Sequence, residues 1–396
     1  MSQLDSIEGS GFPLGFEVQR GAERPRVLGS RAAEDVFMVE ARMLKGHQRE
    51  GVVKEGANGS SWRLTCDEGK HMKGTDLAPF PLGFFNAGLH SDLMGRILSL
   101  AETRSIKLDQ LNLNLQNHYW LTGSFFKGDG KGFADPATAT VKIHSMASTR
   151  DIRSLIHDAI RTSPAMAAMR QPLKNTFALY ANGRRRSIDE LPASSAENAP
   201  DPYVTYDSPP EPLAEWVDKH EVIRKLDVEE SGDVTPAQNS TNTRIVRNIH
   251  GRSQLLDPFG IVKTETWLGL PGMSHFALKS DERAGTASAP CGLTLQAAGI
   301  AFCFMTQLCR YVEHMKFDIE AIRMVQYSPY ALVGSDSGLE GVARPVDTHL
   351  FLNGHVDDET FGRLMHIAAR TCYLHAALAG ALPPQVDIEL NDAKMR

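Results

Sequence analysis

The chain repeats itself over most of its length. Setting Ala78-Pro79 over Ala289-Pro290, an offset of 211 residues, brings Leu82 onto Leu293, Ala87-Gly88 onto Ala298-Gly299, Met94 onto Met305 and Glu102 onto Glu313. Tyr119-x-Leu121-x-Gly123-Ser124 then falls on Tyr330-x-Leu332-x-Gly334-Ser335. After a two-residue slip, Leu155, His157, Ala159 and Arg161-Thr162 match Leu364, His366, Ala368 and Arg370-Thr371. Upstream, Gly51 to Lys54 matches Gly260 to Lys263, and Asp67-Glu68 matches Asp281-Glu282. So many ordered matches with so few gaps imply two homologous units, 35–183 and 243–396. The period is that of a whole domain, which excludes a solenoid of short repeats. An extension, 1–34, precedes the first unit.

Each unit reads the same way. Alternating runs predict strands at Val36–Leu44, Trp62–Cys66, Arg244–Ile249 and His275–Ser280. A Gly/Pro loop leads into a long helix, 81–104 or 292–315, with Leu89, Leu93, Ile97 and Leu100 at helical spacing. Two strands follow (Leu111–Leu115 and Ala139–Ile143; Ile322–Tyr327 and His349–Leu352). Then come a second helix (Ser148–Arg161; Asp357–Arg370), a short tail helix, and a last strand (Thr176–Tyr180; Gln385–Leu390). Strands and helices in segregated runs define an α+β fold. Residues 184–242, rich in Pro, Ser, Asn and Asp, read as a linker with one short helix over Pro212–Leu226.

Ala284 to Cys309 carries no charge and is long enough to span a bilayer. Its first-unit counterpart contains His90, Asp92 and Arg96, so one buried helix explains both copies, whereas a membrane span explains only one. With 42 Lys+Arg against 48 Asp+Glu, a net charge of −6, the chain lacks the basic excess of a dedicated nucleic-acid binder. The five cysteines form no CxxC pair and no zinc spacing. Together with an N-terminus lacking basic and apolar signal regions, this fits a reducing cytoplasm. No metal or organic cofactor is implied. The Gly128–Gly132 run lacks the Lys-Ser/Thr of a phosphate loop and reads as a hairpin turn. Arg184-Arg185-Arg186 reads as solvated surface.

In the second unit, one cysteine stands inside the long helix (Ala298-Gly-Ile-Ala-Phe-Cys303-Phe-Met-Thr306, then Arg310-Tyr-Val-Glu313). A second follows the next helix (Ala369-Arg-Thr-Cys372). This pattern resembles the OsmC/Ohr family of organic hydroperoxide reductases. The first unit resembles a copy that has lost both thiols, with Asp92 in place of Cys303 and Ser163 in place of Cys372. Members of that family are intertwined homodimers. The resemblance therefore implies an intramolecular pseudo-dimer, with antiparallel sheets wrapped around paired central helices and 81–104 packed on 292–315. A further homodimer is compatible with it.

The resemblance also implies a thiol-dependent peroxidase. Cys303 would be the peroxidatic thiolate, Cys372 the resolving thiol and Arg252 the thiolate stabiliser, with Arg49 a looser match in the first unit. The substrate would be a small organic hydroperoxide and the reductant a dithiol or lipoyl-protein. The family's glutamate near the start of the long helix is absent: the two units read Gly292-Leu-Thr-Leu295 and Pro81-Leu-Gly-Phe84. Asp92 faces the thiol site on this reading, as a base or polar anchor, or simply pairs with Arg96. His90, two residues away, lies on another face and reads as an interior histidine beside the degenerate site. His375 reads as a surface histidine able to lower the pKa of Cys372. Cys291, at a helix N-terminus that favours the thiolate, and Cys309 read as structural. Two other functions stay open: a non-redox enzyme using Cys303 or Asp92 on a carbonyl substrate, and an inactive protein holding an apolar ligand.

Overall fold

In the computed structural model, residues 5–124, 127–213, 221–226, 245–285, 287–336 and 338–395 are described. The strands are β1 Gly15–Gln19, β2 Ala33–Met43, β3 Arg49–Glu55, β4 Ser61–Cys66, β5 Gln110–Thr122, β6 Lys131–His144, β7 Thr176–Ala181, β8 Arg184–Arg186 and β9 Ile223–Leu226. They continue with β10 Ile245–Leu255, β11 Ile261–Leu268, β12 His275–Asp281, β13 Ile319–Ser335, β14 Gly338–Ala343, β15 Asp347–Gly354, β16 Gln385–Leu390 and β17 Ala393–Lys394. The helices are α1 Ile7–Ser10, α2 Pro81–Thr103, α3 Thr149–Thr162, α4 Pro164–Arg170, α5 Gly292–Met315, α6 Asp358–Thr371 and α7 Tyr373–Ala379.

The predicted strands and helices are present, with longer strands than alternation alone marked. Ser148 and Asp357 cap α3 and α6 by accepting from Asp151 N at 3.2 Å and Thr360 N at 2.8 Å. One correction falls in the segments outside the repeats. Ile223–Leu226, expected as the end of a helix, is a strand paired with β12; residues 214–220 of that expected helix lie outside the described residues. In the N-terminal extension, β1 pairs with β4.

Two sheets exchange strands between the halves. The first runs β1-β4-β3-β2-β13-β15-β7-β8, with β14 on β13; the second runs β17-β16-β6-β5-β10-β11-β12-β9. Each joins a meander from one half to a hairpin from the other. The seams are antiparallel, β2 on β13 (Arg42 opposite Arg323) and β5 on β10 (Asn114 opposite Arg252). Parallel pairs, β7 on β15 and β6 on β16, complete the exchange. The fold is therefore mixed α+β.

Between the sheets, α2 packs on α5. The contact is close because glycines meet backbone there. A β-carbon on Gly88 would lie 2.7 Å from Gln296 N, one on Gly292 2.7 Å from Asp92 N, and one on Gly299 2.6 Å from Phe85 N. From Gly292 to Leu308 helix α5 is uncharged and buried on every side. It is the one described helix long and apolar enough to cross a membrane, and 94% of its apolar window is buried within the fold. Its N-terminus lacks a side-chain cap from Cys291. Instead, Glu55 of β3 accepts from Cys291 N at 2.9 Å and from Thr294 Oγ1 at 2.6 Å, and Glu282 accepts from Gly292 N at 2.7 Å.

Candidate functional site

Cys303 sits midway along α5, and Cys372 ends α6 and starts α7. Their thiols are neighbours, close enough that each alters the other's ionisation, and no covalent bond joins them. Burial pushes the Cys303 thiol well above its ordinary range, and the neighbouring Cys372 adds to the effect. Burial also acts on Cys372, but the neighbouring Cys303 thiol and the adjacent His375 outweigh it and hold Cys372 well below that range. His375 Nδ1 lies 3.2 Å from Cys372 Sγ. Expected at the surface, this histidine is only 4% exposed.

Of the two thiols, Cys303 lines the pocket. This is a narrow space of about 370 Å³. Its walls are largely apolar (Met72, Phe80, Pro81, Leu82, Leu268), with Glu68, His71, Arg247, Thr306, Gln307 and Tyr373 as polar members. Burial and the neighbouring Arg247 push His71 down to about 4, so it is neutral at physiological pH. Tyr119 of β5 is buried near both sulfurs, and burial with the two thiols raises its hydroxyl well above the usual range.

One turn from Cys303, Thr306 Oγ1 donates to Glu68 Oε1 at 2.6 Å. Arg49, fully buried on β3, donates to the Phe302 carbonyl at 2.9 Å and to Thr306 Oγ1, and pairs with Glu68 at 3.4 Å. An arginine–glutamate pair thus stands beside the thiol, drawn from the first half although the cysteines belong to the second. The sequence reading gave Arg49 only as a looser match and missed Glu68. The available signal was the repeat itself, which pairs Asp67-Glu68 with Asp281-Glu282.

Arg252 does not reach the thiols. On β10, Gly251 and Ser253 point inward and Arg252 points to solvent, its side chain 59% exposed and paired with Glu265 at 2.9 Å. The strand's period of two decides this. Asp92 also lies away from Cys303. It meets Ser163, whose Oγ donates to Asp92 Oδ2 at 2.5 Å, and Ala165 N at 3.1 Å, while Arg96 stands 3.5 Å from Oδ1. Asp92 and Ser163 thus contact each other in the first half as Cys303 and Cys372 do in the second. Close to Asp92, burial and that like charge raise Glu282 to about 8.

His90 faces β10 instead of a pocket: its Nδ1 is 2.7 Å from Ser253 Oγ, and burial drops it to about 3. It is a neutral interior histidine. Cys291 contradicts the helix-dipole expectation, because full burial and the nearby Glu55 and Glu282 raise its thiol well above the ordinary range. Cys309 donates to Gly46 O at 3.6 Å, and burial raises it to about 11. No group of three or more metal-ligating side chains occurs among the described residues.

No family model matches the chain, and no curated protein matches it. Among solved structures, an OsmC-like hydroperoxide resistance protein from Jannaschia sp. CCS1 aligns with 37% of this chain and 95% of its own length. The identity is 19% and the TM-score 0.26, a weak likeness.

Proposed function

We propose that the protein is a thiol-dependent peroxidase of the OsmC/Ohr type, acting on small organic hydroperoxides through Cys303 and Cys372. The observation that carries this reading is the pair of neighbouring buried thiols with one member at a narrow apolar pocket. Cys303 Sγ attacks the distal peroxide oxygen, the O–O bond breaks, and the alkoxide leaves with a proton as the alcohol. Cys372 Sγ then attacks the sulfenic sulfur, hydroxide leaves as water, and a disulfide forms. An external dithiol, free or lipoyl-bound, restores both thiols. Glu68, backed by Arg49 and Thr306, is the group that would align the peroxide, in the role of the glutamate expected near the start of the long helix.

The strand exchange supports a fused dimer. On this reading, units 35–183 and 243–396 stand as two subunits in one chain, with Asp92 and Ser163 marking the degenerate site and the cytoplasm as the compartment. The non-redox reading through Asp92 loses support, because Asp92 lies in the other half's contact with Ser163. The test is consumption of tert-butyl hydroperoxide with dithiothreitol as reductant. Turnover that disappears in Cys303→Ser supports the reading, and absence of turnover with several alkyl hydroperoxides overturns it.

A further inference from the structure

His375 has a geometry that a structural histidine does not need. Its Nδ1 lies 3.2 Å from Cys372 Sγ, while its buried Nε2 meets no hydrogen-bond partner. Around the ring are Phe177 of β7, with centroids 5.4 Å apart, and Phe304 of α5, at 5.5 Å. In the tautomer that carries its proton on Nε2, the neutral ring turns the Nδ1 lone pair to the Cys372 thiol. In the first half Ser163 replaces Cys372 and Met166 falls where His375 stands. Histidine and thiol pair are thus absent together.

We infer that His375 is the base that ionises the dithiol: Nδ1 accepts the Cys372 proton, giving a thiolate–imidazolium pair that Cys303 shares through its S–H. This rests on the peroxidase reading only for its use in turnover. Before attack, the remaining thiol proton shifts from Cys303 to Cys372, leaving Cys303 as the nucleophile. The alkoxide takes a proton from pocket water, and the imidazolium returns one to solvent. The Cys372 proton later departs with the sulfenic hydroxyl as water. Protons and electrons balance: one hydroperoxide and two thiols give one alcohol, one water and one disulfide.

The titratable and charged groups facing the pair among the described residues are Tyr119 of β5, Tyr373 of α7, Arg310 of α5 and Glu68 across Cys303. None of these is a base in contact with Cys372.

Alkylation of Cys303 by iodoacetamide, located by peptide mass and followed from pH 5 to 10, tests the inference. Replacing His375 by Asn should move the midpoint up by at least one pH unit, about a tenfold loss of rate on the acid side. An unchanged midpoint in a folded His375→Asn protein overturns it. Should that variant fail to fold, ring-carbon NMR of the histidines in the intact protein decides. His375 should be imidazolium at pH 7 when reduced and lose that charge in Cys372→Ser; a neutral ring in the reduced protein overturns the inference. Neither experiment involves a peroxide, so a failed turnover assay and a failed histidine assignment are separate results.

Discussion

At the residue scale, what matters is which charges are buried and which neighbours they keep. Glu68 is held by Thr306 at 2.6 Å and Arg49 at 3.4 Å, and it lines the pocket with Cys303. Glu68→Gln keeps the shape and loses the charge. It should lower alkyl hydroperoxide turnover roughly a hundredfold, whereas Arg252→Ala, on the solvent face, should leave turnover within about twofold. Equal losses in both variants would refute the assignment. Glu282 gives a pH prediction. Its pKa is raised from 4.5 to about 8 in the folded protein, so the folded state holds a proton that the unfolded state releases above 4.5. The group therefore costs no stability below pH 4.5, costs progressively more up to about 8, and levels off above that. Glu282→Gln, able to accept from Gly292 N, should raise the urea midpoint at pH 8 and leave it unchanged at pH 4. The opposite pH order would contradict the assignment.

At the element scale, the helix pair is the part most closely specified. Gly88, Gly292 and Gly299 allow backbone to approach backbone, and a β-carbon on Gly299 would also lie 2.9 Å from Pro81 O. Gly299→Ala should therefore destabilise the protein by about 1–3 kcal/mol in urea titration. A neutral result would show that the helices can move apart freely. The central helices were legible because their apolar spacing is long and recurs. Strands β3 and β11 were not read as strands, although both lie in matched repeat segments. β3 is the clearer case: Arg49, Glu50, Lys54 and Glu55 look like loop residues. The fold buries Glu50 against Arg63 and Glu55 against Arg24, and ion pairs between distant segments have no local signature. The cap of α5 was hidden for the same reason, since Glu55 and Glu282 reach Cys291 N and Gly292 N from other strands. Arg252 shows the reverse failure. Its neighbours suggested a site, but strand alternation, with Gly251 inward, already pointed it outward.

At the scale of the whole molecule, neither half completes a sheet alone, because each sheet crosses a seam between β2 and β13 or between β5 and β10. Expressed separately, residues 5–213 and 245–396 should each expose a long unpaired strand edge and an uncovered α2 or α5, and aggregate. Coexpressed, they should form a soluble one-to-one complex. Two separately soluble, folded halves would refute the interlocked arrangement. The α+β class followed from the order of elements. The exchange of strands was an expectation of the family resemblance alone, since a repeat in sequence is equally compatible with two domains side by side.

The central claim is that Cys303 and Cys372 form one redox unit among five cysteines. The most direct measurement is a free-thiol count on the reduced protein before and after one equivalent of an alkyl hydroperoxide, with the oxidised product mapped by peptide mass. The five thiols should fall to three, with a Cys303–Cys372 disulfide that does not form in Cys303→Ser. Five thiols after treatment, or a disulfide elsewhere in the chain, would contradict it.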